Sequence, residues 1–491
     1  MDNLTSNICK IEDTGSVIKK FLSSFYKISE LNINNSINLI NNYLDHFRKD
    51  LSVYIEYPYV DKVYRDSYYN YYASKKDNYH RDTIRVSLFE NKITNSDFRK
   101  KDQFESLKKL YLGFFIIRPT FPQVIGRSLI SPRAINENNF KICTTEYNVT
   151  ANSVKFIGNG FPHSSQNSET ISCAETTLWS IMEYFAFKYV EYKPILPSKI
   201  SSILNKLSFE RLIPSKGLTA QQISFALKEF DFGVKIYSKK AYTFDFEMII
   251  KTYVESGIPV IILIENEKGV GHAQILIGRK KFLKPDIENL NNIINLDETS
   301  AIIDFMNIEI DYVYIDDNHP PYQMSSLNTP SSFYNIKKWE DCKITNFIVP
   351  LYHKIYLEAG EARIVAKSLL IEFFNNFGFL KNKETIYKTF LTSSRSFKQE
   401  IALNDTLENS IKELILSLSM PKFVWITELS NRELILDNLC LGMLIIDATE
   451  PKKIGLIAGL IENHYISSNL SNFAKISIPI KAFKGYQGNL N

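Results

Sequence analysis

The order of helices and strands in the middle of the chain constrains its fold most strongly. Segments with the three- and four-residue apolar spacing of helices come first, and short apolar runs typical of strands follow them. Helices are predicted near 173–189, 196–206, 218–230 and 243–256, and strands at Val234–Ser238, Pro259–Glu265, His272–Gly278, Tyr312–Asp316 and Thr345–Leu351. Helices that precede a set of antiparallel strands indicate an α+β fold.

The 491 residues are enough for two to four domains, and we divide them into three regions. Residues 1–155 form a predicted N-terminal α+β region, 156–354 the central region, and 355–491 a C-terminal α+β region. In the C-terminal region we predict helices at 357–377 and near 384–417, with strands around 422–429, 442–448 and 475–480. The sequence indicates no chemistry for either flanking region.

Composition excludes several classes of protein. The net charge of +4 gives no electrostatic reason to expect nucleic acid or an anionic membrane as a partner. The chain has no apolar run of the roughly 18 residues that span a bilayer, and its polar start does not resemble a secretory signal. Five scattered cysteines without a CxxC pair argue against disulfides and structural zinc, so we expect a reduced, cytoplasmic protein. A tyrosine-rich segment, 54–76, could stack on bases, but the near-neutral charge favours an aromatic protein face.

Cys173 occupies a chemically distinctive position at the start of the first central helix. Ser172 and Glu175 form an S-x-x-E capping box, so Cys173 is the first helical residue. The unpaired backbone N–H groups and the positive end of the helix dipole stabilise a thiolate there. The helix itself is predicted to be amphipathic, with an apolar stripe at Ala174, Leu178, Ile181, Met182, Phe185 and Tyr189. Cys173 is therefore a candidate nucleophile, and the alternative is a small buried hydrophobic residue.

His272 is the candidate base among seven histidines because it opens the second strand of a strand–turn–strand segment. A nucleophilic cysteine needs a base, and the base needs an orienting partner. His272, Gln274 and Leu276 are predicted to share one face of that strand, and Gly271 allows close approach of a substrate. The alternative is a structural histidine at the start of a strand.

Asp316 and Asp317 follow the next strand and compete for the orienting role, although strand ends also collect aspartates for turns. Successive strand residues point to opposite faces, so we expect only one of them to meet the imidazole. We expect this to be Asp316, with the Asp317 side chain bonded to the backbone of the turn. Gln166, seven residues before Cys173, is a candidate donor to the oxyanion of an acyl-transfer intermediate. His319 lies near the aspartates, but no metal-ligand spacing is present, so we expect neither a metal nor a cofactor.

The order of these features resembles the papain-like cysteine peptidases, and most closely the bacterial branch that includes the double-glycine leader peptidases of bacteriocin exporters. The matching residues are Gln166, Cys173, the strand from Gly257 to Val260, His272 after Gly271, and Asp316 after Ile315. The resemblance covers about 160–320. It implies a papain-like core, in which a helix bears the cysteine and an antiparallel sheet bears the histidine and aspartate.

The chain departs from that pattern in four places. The step from glutamine to cysteine is seven residues rather than six, which leaves Asn167 as a substitute donor. Ala174 follows the cysteine where the family favours glycine, and Asp317 takes the place of a proline. A polar insert, 280–307, separates histidine from aspartate. No ATP-binding or exporter segment is present, so the export function does not carry over.

The resemblance implies a thiol peptidase that cleaves peptide or isopeptide bonds in a protein or peptide substrate. Cys173 would attack, His272 would transfer the proton, Asp316 would orient the imidazole, and Gln166 would bind the oxyanion. One alternative is a transglutaminase-like acyltransferase that uses the same acyl-enzyme. The other is a non-catalytic binding or scaffold protein that retains the fold.

Overall fold

The computed structural model describes residues 5–26, 28–75, 79–166, 173–206, 218–450, 455–469 and 472–491. Helices and mainly antiparallel sheets alternate along the chain, which confirms the predicted α+β class. Among these residues, no helix is both long and apolar enough to cross a membrane.

The N-terminal region is built on a sheet with the strand order β1-β2-β3-β4-β5-β8-β7. Its helices are α1 (Thr14–Phe25), α2 (Glu30–Leu44), α3 (Lys62–Asn70) and α4 (Phe104–Leu110). Its strands are β1 (Thr5–Lys10), β2 (Ser52–Tyr59), β3 (Thr83–Phe89), β4 (Tyr111–Ile117), β5 (Ile125–Ile130), β7 (Thr145–Ala151) and β8 (Val154–Ser164), while β6 (Phe140–Ile142) pairs with a strand of the central sheet. The tyrosine-rich segment is divided between β2 and α3, where Tyr54, Tyr57 and Tyr64 are buried.

The central region contains the second sheet, with the order β15-β14-β11-β10-β16-β9. Its helices are α5 (Cys173–Lys188), α6 (Pro197–Leu204), α7 (Ala220–Glu229), α8 (Phe246–Glu255), α9 (Lys284–Glu288) and α10 (Lys337–Glu340). Its strands are β9 (Phe232–Ser238), β10 (Val260–Glu265), β11 (Gly271–Lys280), β12 (Ile294–Asn295), β13 (Ala301–Asp304), β14 (Tyr312–Ile315), β15 (Gln323–Ser325) and β16 (Lys343–Tyr352). Every strand pair of this sheet is antiparallel.

The C-terminal region forms the third sheet, with the order β12-β13-β17-β18-β20-β21-β22-β23. Its helices are α11 (Ala359–Phe377), α12 (Ser394–Leu403) and α13 (Asn409–Ser417). Its strands are β17 (Glu384–Ser393), β18 (Phe423–Ser430), β19 (Leu439–Cys440), β20 (Gly442–Asp447), β21 (Leu456–Ile461), β22 (His464–Asn469), β23 (Asn472–Ser477) and β24 (Phe483–Lys484). The predicted helix near 384–417 is wrong over its first ten residues, because the β-branched and aromatic side chains of β17 pack inside this sheet.

The three regions share secondary structure across their predicted boundaries. Residue 155 falls inside β8, which continues to Ser164. The insert 280–307 supplies β12 and β13, and β13 pairs in parallel with β17 of the C-terminal sheet. The last residue, Asn491, exchanges two backbone hydrogen bonds with Ile142 in β6. The insert therefore joins the central region to the C-terminal sheet.

Helix α5 is buried on nearly all sides, which the amphipathic pattern did not predict. The helix packs against β11 of the central sheet, and β7 and β8 of the N-terminal sheet contact it as well. Its polar residues, including Ser180 and Glu183, are consequently buried, and Lys62 of α3 places its ammonium 2.6 Å from the Glu183 carboxylate. The N-terminal sheet thus covers the helix that begins with Cys173.

Candidate active site

Cys173 is the first residue of α5 and is half-buried. Its thiol hydrogen-bonds to the His272 side chain. The proposed cap Ser172 and the alternative donor Asn167 lie outside the described residues.

The other four cysteines lie in environments that disfavour a thiolate. Burial raises the pKa of the Cys9 and Cys342 thiols, raises that of Cys143 to about 12, and raises that of Cys440 well above its ordinary value. A neutral thiol is a poor nucleophile, so a raised pKa favours inert cysteines at these four positions.

His272 lies near the start of β11, where the central sheet meets the loop that follows β14. It pairs with Ile264 of β10, and its side chain is buried with the ring of Trp339 centred 5.4 Å from the imidazole. Gly271 beside it is exposed, and a Cβ added there would approach only the Ile264 carbonyl oxygen, at 3.7 Å. The backbone next to the imidazole is therefore open to an approaching substrate.

Asp316 receives hydrogen bonds from several directions. The His272 Nε2 lies 3.0 Å from its Oδ2, and Gln274 on the same face of β11 donates to that oxygen at 2.7 Å. The Tyr334 hydroxyl lies 2.8 Å from both carboxylate oxygens, and the Asn318 backbone N–H donates to Oδ1 at 2.8 Å. This last bond, from the Asn318 backbone to the Asp316 side chain, is the side-chain-to-backbone bond of the turn. The expectation that Asp317 would make it is therefore wrong.

Asp317 is also buried, with Oδ1 3.6 Å from the His272 Nε2. Within the described part of the chain, neither of its carboxylate oxygens has a hydrogen-bond partner. Both aspartates approach the imidazole, so the expectation that only one would do so is wrong; both lie beyond the end of β14, where strand alternation no longer applies. Asp316 nevertheless lies closer to the His272 Nε2, and its carboxylate accepts several hydrogen bonds.

The charges of this cluster follow from burial and from mutual attraction. Burial alone would lower the pKa of His272, but the Asp316 carboxylate and its hydrogen bond raise it well above the usual value. Burial alone would raise the pKa of Asp316, but His272 holds it below the usual range. The pKa of Asp317 moves the other way, because burial and the neighbouring Asp316 raise it to about 7. An imidazolium paired with the Asp316 carboxylate is thus favoured at neutral pH.

Gln166 lies against the same loop. Its backbone N–H donates to the Asp317 carbonyl at 3.3 Å, and its side-chain amide donates to the Asn318 side-chain oxygen. Arg118 of the N-terminal region donates to the carbonyls of Ser165 and Gln166, at 2.8 and 2.7 Å. The structure therefore holds Gln166 beside the cluster, with its amide bound to Asn318.

A buried histidine of the N-terminal sheet supports the backbone of Asp316. The Nε2 of His163 lies 3.1 Å from the Asp316 carbonyl oxygen, so Nε2 carries the proton and donates it. Its Nδ1 then accepts from Ser128 at 3.0 Å, and Tyr43 donates to Ser128 at 3.1 Å. Burial lowers the pKa of His163 to about 4, which keeps the ring neutral.

Sequence reasoning named His272, Asp316, Asp317, Gln166 and Cys173, and the structure brings all five to one place. It placed Gln274 on the His272 face of the strand without giving it a role, and it did not name Tyr334, Asn318 or His163 as supporting residues. A role for Gln274 could have been predicted, because it lies two residues after His272 on the same strand face. Tyr334 and His163 carry no local sequence signal that links them to Asp316.

His272, Asp316 and Asp317 could also offer ligand atoms to a metal, since one atom from each lies within 4.8 Å of the others. Both Asp316 oxygens are already occupied by donors from Gln274, Tyr334 and Asn318, which compete with coordination by a cation. The sequence-based expectation of no metal and no cofactor stays a prediction.

Comparison with known proteins finds no matching family model and no matching curated protein.

Proposed function

We propose that the protein is a papain-like cysteine peptidase that hydrolyses peptide or isopeptide bonds. The observation that carries this proposal is the hydrogen-bonded series in which the Cys173 thiol meets His272 and the His272 Nε2 lies 3.0 Å from Asp316. A nucleophile, a base and an orienting carboxylate in contact form the minimal set for thiol acyl transfer.

The arrangement of elements also supports a papain-like core. Cys173 begins α5, His272 lies near the start of β11, and Asp316 directly follows β14, which pairs with β11 in an antiparallel sheet. The same order of cysteine on a helix, then histidine and aspartate on neighbouring strands, carries the sequence resemblance.

In the proposed reaction, the Cys173 sulfur attacks the carbonyl carbon of the scissile bond. The His272 imidazolium gives its proton to the leaving amine, and a thioester between Cys173 and the acyl part remains. Water then attacks the thioester carbonyl while His272 accepts a proton from it. The acid product leaves and the thiolate–imidazolium pair is restored. Asp316 keeps the ring oriented and stabilises its charge throughout.

The oxyanion would be bound by the Cys173 backbone N–H at the start of α5 and by the Gln166 side chain. A carboxamide has two N–H donors, and Asn318 accepts one from Gln166. The second N–H of the Gln166 amide remains for a substrate oxygen. Alternatively, the N–H that is bonded to Asn318 turns to the oxyanion.

The test is digestion of a denatured protein and a mixed peptide library, with new termini identified by mass spectrometry. We expect cleavage by the wild type and by Cys9→Ser, which removes a thiol outside the cluster, and none by Cys173→Ser or His272→Ala. Cleavage that survives Cys173→Ser would refute the proposal. Addition of a primary amine distinguishes the acyltransferase, which would form amide products in place of free carboxylates.

A further inference from the structure

A cavity of about 210 Å³ lies between the central and C-terminal sheets, beside the last turn of α5. It is at the opposite end of this helix from Cys173. Aromatic and aliphatic side chains form much of its wall: Tyr189, Tyr192, Tyr352, Phe423, Ile258 and Leu351. Lys422 and Glu191 also line it and form a half-exposed ion pair at 2.6 Å, so the cavity opens to solvent on that side.

Lys188 brings an uncompensated cation to this cavity. Its ammonium donates to the Tyr184 hydroxyl at 2.8 Å and, within the described ranges, forms no ion pair with a carboxylate. Burial lowers the pKa of Lys188, as expected for an ammonium that lacks an anionic partner. An ammonium has three donors, so two remain for a ligand.

The other polar groups of the wall also favour an anion. Of the three charged residues that line the cavity, Lys422 and Glu191 neutralise each other, which leaves the charge of Lys188. Ser393 and Ser396 also line it at the start of α12, where the helix dipole is positive.

We propose that this cavity binds a small organic carboxylate with an aromatic body, whose carboxylate pairs with Lys188 and whose ring packs between the tyrosine and phenylalanine walls. Sites for drug-sized ligands are usually about 300–1,000 Å³, so the volume here fits a ligand with one ring. This inference is independent of the peptidase proposal, because it concerns residues that take no part in that reaction.

Titration of the full-length protein with phenylacetate tests the proposal, with 2-phenylethylamine as a ligand of the same shape and opposite charge. We expect phenylacetate to raise the melting temperature and to bind in the millimolar to high micromolar range expected for about ten non-hydrogen atoms. The amine should do neither. Lys188→Met should lose at least tenfold in affinity, whereas Lys193→Met, at an exposed lysine nearby, should bind as the wild type does.

A second pair of readouts uses the wild-type resonances and the charge-conserving variant Lys188→Arg. Phenylacetate should shift the side-chain ¹³Cε resonance of Lys188 saturably in the wild-type protein, and Lys188→Arg should retain most of the affinity. Equal binding of the amine, unchanged affinity of Lys188→Met, or an unmoved Lys188 resonance at saturating phenylacetate would each overturn the proposal.

Discussion

The Nε2 of His272 and the Oδ2 of Asp316 lie 3.0 Å apart, and Gln274 and Tyr334 donate to the same carboxylate. An aspartate held in this way stays ionised and fixes the imidazole in one orientation. A third residue that orients the base in this manner is what the proposed role of His272 requires.

We expect Asp316→Asn to lower peptide turnover by orders of magnitude, because the amide no longer stabilises the imidazolium or selects its tautomer. Asp317→Asn should cost much less, because its carboxylate lies 3.6 Å from Nε2 and makes no hydrogen bond among the described residues. Steady-state kinetics of the two variants, on the best peptide from the library digest, make the comparison. The reverse ranking would assign the orienting role to Asp317.

The sequence identified the residues that cluster in the candidate site better than it predicted their surroundings. Cys173, His272 and Asp316 could be found because each lies at the boundary of a strongly patterned element, where a helix or strand begins or ends. The burial of the polar face of α5 could not be predicted from the helix pattern, since it depends on the packing of β7 and β8 of the N-terminal sheet against that face. Strand β17 was predicted as helix for a similar reason: it is buried in the C-terminal sheet, and this burial outweighs the local sequence pattern.

His163 supplies a test of how the N-terminal sheet supports the site. His163→Leu would leave the Asp316 carbonyl without its 3.1 Å donor, at a cost of about 1–3 kcal/mol in unfolding free energy. We expect kcat to fall with little change in KM. His163→Gln places an amide N–H near the position of Nε2 and should recover a large part of kcat. Equal losses in both variants would indicate a packing role only.

Asp317 gives a pH-dependent stability prediction. Its pKa is raised to about 7 in the folded protein, above the roughly 3.9 of an unfolded chain. Its contribution to stability is therefore present below about pH 4 and is lost as the pH rises through about 7. Asparagine resembles the protonated carboxyl, so Asp317→Asn should melt a few degrees higher than the wild type at pH 8 and equally at about pH 4. Asp437→Asn, at an exposed aspartate, serves as the control, and a pH-independent difference would contradict the account.

The Lys62–Glu183 pair tests how firmly α5 is held against the N-terminal region. Glu183 is 1% exposed, whereas the Lys62 side chain is 44% exposed. Lys62→Met leaves the buried carboxylate without this partner, and we expect a loss of about 1–3 kcal/mol in denaturant unfolding. Lys49→Met breaks the exposed pair with Asp45 and should cost less than about 1 kcal/mol. Equal effects would mean that the buried pair contributes no more than a surface one.

The most direct measurement for the central claim is the rate of iodoacetamide alkylation at each of the five cysteines, followed by mass spectrometry across pH. We expect Cys173 to be modified first near neutral pH. His272→Ala should slow this modification at least tenfold, and Asp316→Asn should shift the pH at which Cys173 becomes reactive to a higher value. Earlier labelling of Cys9 or Cys440, or a Cys173 rate that does not respond to His272→Ala, would contradict the assignment of Cys173 and His272 as nucleophile and base.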